Sequence, residues 1–168
     1  MTIIAYRNNA IASDSAVING YGTIIGSVPK CGARVIDGTA YFFGATGELA
    51  QGQKFMAWCK GDGLVNYLQG KDDLPLIAPP ADKDHCTGIV CHGKTCHRFE
   101  GNNPAIVMDG TFHTLGSGDM YLIGAMEHGA DVLDAIKIAM KYDAFSGGRL
   151  HHFEMIGDEL HDFSETPA

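Results

Sequence analysis

Long apolar runs are missing from this sequence. No window approaches the roughly 18 consecutive apolar residues a bilayer-spanning helix needs, so no membrane span is expected. Basic residues are scarce, with 12 Lys+Arg against 20 Asp+Glu and a net charge of −8. A surface this acidic repels phosphate backbones and anionic lipid, which argues against nonspecific nucleic-acid binding and membrane attachment. The opening residues, Met1-Thr2-Ile3-Ile4-Ala5-Tyr6-Arg7, lack a basic head followed by an apolar stretch, so no secretion signal is expected. Cysteine is sparse and odd in number, at five, with no CxxC pair. In a chain long enough for a real core this points to reduced thiols and a cytoplasmic location rather than a disulfide framework. Six prolines against 22 glycines suggest many turns between short strands.

What is present reads as one domain over residues 1–168, 45% hydrophobic. Residues 2–6 and 10–14 are β-prone runs around Asn8-Asn9, a two-residue hairpin signal. Residues 17–28 are β-prone but broken by three glycines. Strands are predicted at 34–36 and 40–43 around Asp37-Gly38, then a helix over 49–58. Residues 69–84 hold three prolines and a charge cluster and read as a surface connection. A second hairpin is predicted at 86–92 and 95–100, and a third at 105–108 and 111–115 with Asp109-Gly110 as its turn. Gly116-Ser117-Gly118 opens a helix through Met126. The stripe Val132, Ala135, Ile136, Ala139, Met140 marks another helix. A strand at 149–156 and a polar tail close the chain. Strand runs with helices gathered between them suggest two sheets covered by outer helices, though the pattern alone leaves other α+β layouts open.

Polar residues at strand ends are the candidates for chemistry. Asp14, Lys30, Ser117, Asp143 and Ser146 all sit in such places. Singly, each has a plainer reading as a turn-former bonded to nearby backbone. Thr2 changes the weighing. A small residue after Met1 invites removal of that methionine, and the new terminus would carry a hydroxyl and an α-amine on one residue. That is a nucleophile with its own base, and an α-amine has a pKa near about 8, poised to take a proton at neutral pH.

Three stretches share a resemblance. "TIIAYRNNAIASDS" is similar to the first hairpin of proteasome β-subunits and HslV, the N-terminal-threonine hydrolases. "LGSGDMYLIGAM" resembles their Gly-Ser-Gly helix opening, and "DAFSGG" resembles the Asp-Ala-Tyr-Ser-Gly-Gly turn of proteasome β-subunits. The likeness runs from Thr2 to about Phe153 and is weak between about Asp62 and Met108. It implies a four-layer αββα sandwich of the N-terminal-nucleophile type and a threonine endopeptidase. In that reading Thr2 is the nucleophile, Asp14 and Lys30 are its charged partners, and the Gly44 N–H is the oxyanion donor. Ser117, Asp143 and Ser146 orient the α-amine. The residues after Asp14 and Lys30 and those near Phe42, Thr46 and Ala50 would line the first specificity pocket, with Phe42 equally readable as core. The implied partners are peptide or unfolded protein as substrate, sister copies in a homo-oligomeric ring, and an ATP-dependent unfoldase. No cofactor or metal ligand is assigned, and relatives in that family can hold a cation on backbone carbonyls near the position of the Asp143–Ser146 turn.

The Thr2–Asp14 interval is shorter than the family's, and the Ser117–Asp143 segment is compact. Two alternatives stay open: an amidohydrolase acting on small molecules, or an inert ring-forming subunit that keeps Met1. His85, Cys86, Cys91, His92, Cys96 and His97 form the most metal-like cluster. Its C-x4-C-x4-C spacing lacks a zinc pair, and strand alternation sends Cys91 and His92 to opposite faces, so buried thiols are the reading adopted.

Overall fold

The computed structural model describes residues 2–78, 83, 85–101 and 103–165. Strands β1 (Ile3–Arg7) and β2 (Ala10–Ser13) pair through Asn8 and Asn9, both at positive φ (51° and 60°), the conformation a two-residue turn between twisted strands requires. The first five-stranded sheet has the order β10 (His113–Gly116), β1, β2, β11 (His151–Ile156), β12 (Glu159–Asp162). The second runs β5 (Cys31–Ile36), β6 (Thr39–Gly47), β7 (Cys86–His92), β8 (Thr95–Glu100), β9 (Ile106–Asp109). A separate two-stranded ribbon joins β3 (Ala16–Ile18) to β4 (Ile24–Ser27).

β1 is apolar almost throughout because both its faces are covered. Ile4 and Tyr6 point inward against Phe42, Ile89, Cys91 and Cys96 of the second sheet. Ile3 and Ala5 point outward, where α3 (Asp119–Glu127) and α4 (Val132–Tyr142) lay Leu122, Met126, Ala135, Ile136 and Ala139 over them. Phe43, Val90 and Phe99 face the other way, under Phe55, Met56 and Cys59 of α1 (Leu49–Lys60) and Leu64 of α2 (Asp62–Leu68). The layers are therefore helices, sheet, sheet, helices, as expected. Among the described residues no helix is long and apolar enough to cross a membrane.

Three sequence expectations need correction. Asp109-Gly110 is not a hairpin turn: β9 pairs with β8, whereas β10 pairs with β1, so the chain changes sheets there. The period-two pattern on both sides was right, but it does not say which neighbour a strand takes. α2 follows α1 directly after Gly61, a helix with too short an apolar stripe to register as periodic. The supposed polar tail contains β12, an edge strand turned back at Gly157 (φ 62°) and paired with β11. All five cysteines are buried and free of disulfides. Among the described residues no three His, Cys, Asp or Glu side chains gather as a metal site.

Burial lowers the pKa of three histidines. His97, hydrogen-bonded to the Tyr67 hydroxyl at 2.9 Å, is held down by burial and then by His92. His151 and His152 are lowered by burial against the opposing pull of nearby carboxylates. Each prefers to be neutral in the fold, so the unfolded chain binds the extra protons. Their contribution is fully present above the ordinary histidine value of about 6.5 and is lost as pH falls below it. The urea midpoint is expected to decline from about pH 6.5 downward. A midpoint that stays flat until carboxylates titrate would contradict this.

Candidate active site

β1 begins at Ile3, so Thr2 sits at the start of the central hairpin, 4% exposed. Its carbonyl accepts a 2.9 Å hydrogen bond from the Ser117 N–H, just where β10 ends and α3 is about to begin. Asp14 lies one residue past β2, wholly buried, across the hairpin from Ile3, the residue after Thr2. Its Oδ1 accepts from the Ile3 N–H at 3.0 Å, and its Oδ2 accepts from Ala16 N–H at 3.3 Å and Gly147 N–H at 3.2 Å. The Lys30 ammonium donates to both carboxylate oxygens, at 3.1 and 3.0 Å. Lys30 is 6% exposed, so both charges are nearly out of water. Burial lowers the lysine pKa, and the facing carboxylate works against that shift.

The second half of the site hangs from the end of α4. Asp143 follows Tyr142, and its Oδ1 accepts from the Phe145 N–H at 3.2 Å, making a tight turn. Its Oδ2 accepts from the Ser117 hydroxyl at 2.7 Å and from the Ser146 hydroxyl. Burial alone would raise the Asp143 pKa, but the hydrogen bonds from Ser146, Ser117 and Phe145 outweigh it and the net shift is downward. Asp143 is therefore an anion fixed to the same Ser117 whose N–H holds Thr2. The two halves meet where Gly147 donates to Asp14 and its carbonyl accepts from the N–H groups of Ser15 and Ala16, at 3.2 and 3.0 Å.

Thr2 and Lys30 open onto a cleft of about 270 Å³. One wall is Ala16, Val17 and Ile18, the stretch after Asp14. The opposite wall runs from Ala45 to Leu49 and on to Met56 along the inner turns of α1. Of the pocket residues expected from the resemblance, Thr46 lines this cleft. Phe42 is instead fully buried between the sheets, 5.4 Å from the Tyr6 ring, and Ala50 is exposed on the outer side of α1.

Gly44 also lies elsewhere. The Ala45 N–H donates to the Lys30 carbonyl at 3.1 Å, and the Glu48 N–H donates to the His85 carbonyl at 2.9 Å. N–H directions alternate along a strand, and these two bonds fix the phase of β6. Gly44, paired with Ile89, turns its N–H toward β7, away from the cleft. A Cβ on it would come within 2.8 Å of Ile4, so its smallness serves the packing between the sheets. Gly47, three residues on, faces its N–H to the side that β5 has vacated and lines the cleft with Thr2 and Lys30. Its φ of 116° and the His85 carbonyl oxygen beside it admit only glycine. Counting 14 residues from Lys30 picks Gly44, but β5 and β6 pair as far as Cys31 and Gly44, so the cleft begins only at Ala45.

Sequence reading missed Ser15 as well as Gly47. Ser15 is wholly buried, and its hydroxyl accepts from the Arg149 N–H at 2.8 Å and from the Ser27 hydroxyl at 2.6 Å. A serine beside an aspartate at a strand end carries no signal by itself. Only the return of the 143–149 turn to this point gives it a role.

No protein-family model matches the sequence, and no curated protein matches it. Among solved structures, the chain is similar to eukaryotic HslV from Trypanosoma brucei, at 16% identity, over 90% of this chain and 96% of that one, with a TM-score of 0.64. The αββα sandwich described above is thus the fold of that HslV structure.

Proposed function

We propose that this chain is a threonine endopeptidase whose nucleophile is Thr2, exposed when Met1 is removed. The observation that carries the reading is the buried Lys30–Asp14 ion pair opening onto the same cleft as Thr2. A buried ion pair is costly to desolvate and weak as a source of stability, so its presence at the mouth of a cleft calls for another use. In this reading the Lys30 ammonium offsets negative charge developing on the Thr2 oxygen. The freed α-amine takes the hydroxyl proton, oriented by Ser117, Asp143 and Ser146. Thr2 Oγ attacks the amide carbon, the C–N bond breaks, and the amine leaves with the proton. Water then hydrolyses the ester and frees the threonine. We assign the oxyanion donor to the Gly47 N–H; one such donor is typically worth about 3 kcal/mol.

The side chain preceding the cleaved bond would sit over Val17, Leu49, Gly52 and Met56. Glycine in a helix costs roughly 0.5–1 kcal/mol relative to alanine. Yet a Cβ on Gly52 would meet only Ala45, at an ordinary 3.8 Å, so packing does not demand glycine there. What it does is keep the cleft deep. Gly52→Leu is expected to lower kcat/KM for substrates with a large apolar side chain by about 30-fold, sparing those with alanine, in the range hydrophobic pockets discriminate. An unchanged ratio between the two substrates would contradict the pocket assignment.

The fold also supports a homo-oligomeric ring enclosing the sites, an ATP-dependent unfoldase as partner, and a cytoplasmic setting; these belong to the proposal. Hydrolysis of fluorogenic peptides and of an unfolded protein, with mass by light scattering on the same sample, tests it. Cleavage by a species several times the 18.0 kDa chain is expected. A monomer that cleaves small amides but not peptides would overturn it.

A further inference from the structure

We propose that Ser15 is a positioning residue that holds the Asp14–Lys30 pair and the Asp143–Ser146 turn in one frame; the inference rests on the peptidase reading. Ser15 touches three segments that come from distant parts of the chain. Its hydroxyl accepts from the Arg149 N–H at 2.8 Å, just after the turn that carries Asp143 and Ser146. Its own N–H donates to the Gly147 carbonyl at 3.2 Å. Its carbonyl accepts from the Val28 N–H at 2.9 Å, two residues before Lys30. The Ser27 hydroxyl, at 2.6 Å, reinforces that side.

The seat is tight. A Cβ on Gly148, at φ 78°, would stand 2.7 Å from the Ser15 oxygen, so bare backbone closes over the hydroxyl. With Ser15 at zero exposure, water has no ready route to replace that oxygen. Removing it leaves the Arg149 N–H without its acceptor beside the turn. The Gly147 contacts to Asp14 and to the Ser15 N–H remain, so the fold keeps its main struts while the turn loses one of them. The nucleophile side and the amine-orienting side of the site are then free to shift against each other by fractions of an ångström. Displacements of that order cost rate far more than binding, because attack needs the reacting groups placed to within fractions of an ångström, whereas the cleft walls from Ala16 to Ile18 and from Ala45 to Met56 hold the substrate over a broad area.

Ser15→Ala is therefore expected to lower kcat by about 10- to 100-fold with KM within about threefold of wild type. The acid limb of the pH–rate profile, which reports the Thr2 amine, is expected to move, because Asp143 and Ser146 set its surroundings. Ser15→Cys fills the same seat with a weaker acceptor and is expected to fall between serine and alanine. Ser27→Ala leaves the Arg149 bond in place and is expected to cost less than about threefold. Rates are taken per active site titrated with a peptide epoxyketone, so that partial unfolding does not count as lost catalysis. A Ser15→Ala or, if that variant does not fold, a Ser15→Cys protein with wild-type kcat and an unmoved pH profile would overturn the inference. If Thr2→Ala abolishes cleavage and Ser15→Ala does not impair it, this inference alone fails. If wild type cleaves nothing, or Thr2→Ala cleaves as fast, the peptidase reading fails and takes this inference with it.

Discussion

Thr2→Ala is expected to reduce peptide cleavage by at least about 1,000-fold in kcat without unfolding the chain. The proposed chemistry puts nucleophile and base on one residue, and alanine keeps only the base. The fold does not depend on the lost hydroxyl in the same way. The contact that ties residue 2 to the start of α3 runs from the Ser117 N–H to the residue 2 carbonyl, and alanine retains it. The Ile3 N–H still reaches the Asp14 carboxylate. Thermal and urea midpoints are therefore expected to stay within about 1 kcal/mol of wild type in free-energy terms. Thr2→Ser keeps the hydroxyl and is expected to retain measurable cleavage. Activity in Thr2→Ala comparable with wild type would end the case for this nucleophile.

Lys30→Ala is expected to be as damaging to activity and more damaging to stability. Asp14 has no exposure to water, and the Lys30 ammonium neutralises it in contact with both oxygens. Removing one member of a buried pair typically costs about 3–5 kcal/mol, because the other charge is stranded. Here the penalty is tempered by the three backbone N–H groups that also face the carboxylate, from Ile3, Ala16 and Gly147. The two effects can be separated. Adding Asp14→Asn to Lys30→Ala removes the stranded charge and is expected to recover part of the lost stability, while cleavage stays near zero. If the double variant recovers activity along with stability, Lys30 serves the fold and not the chemistry.

The sequence made the fold's hairpins legible wherever the turn chemistry was local. Asn8-Asn9 and Asp37-Gly38 sit at positive φ in tight turns, as their residue types demand. The amphipathic stripe of α4 was equally plain, since one of its faces is solvent. What stayed hidden were choices made over distance. Asp109-Gly110 has the residues of a hairpin turn, but Ile106 to Asp109 satisfies its hydrogen bonds on β8 and His113 to Gly116 on β1. No local signal encodes that partition.

The site divides along the same line. Thr2, Asp14, Ser117, Asp143 and Ser146 were named from motifs and Lys30 from its spacing after Asp14, and the fold draws them around a single point although more than 140 residues separate the first from the last. Gly44 was chosen by counting, and counting fails where strand length varies. The phase of β6 is set by its hydrogen bonds to Lys30 and His85, which gives the cleft-facing N–H to Gly47. Ser15 could be found only once the 143–149 turn was seen to return to it.

The proposed catalyst is a free amino-terminal threonine acting as its own base beside a buried lysine. Treating purified protein with a peptide epoxyketone and then mapping the adduct by mass spectrometry tests it most directly, because that electrophile closes a ring with both the hydroxyl and the α-amine. The prediction is a chain lacking Met1 that carries one adduct on Thr2, with no adduct in Thr2→Ala. A chain that keeps Met1 and stays unlabelled while still cleaving peptides, or an adduct on any other residue, would contradict it.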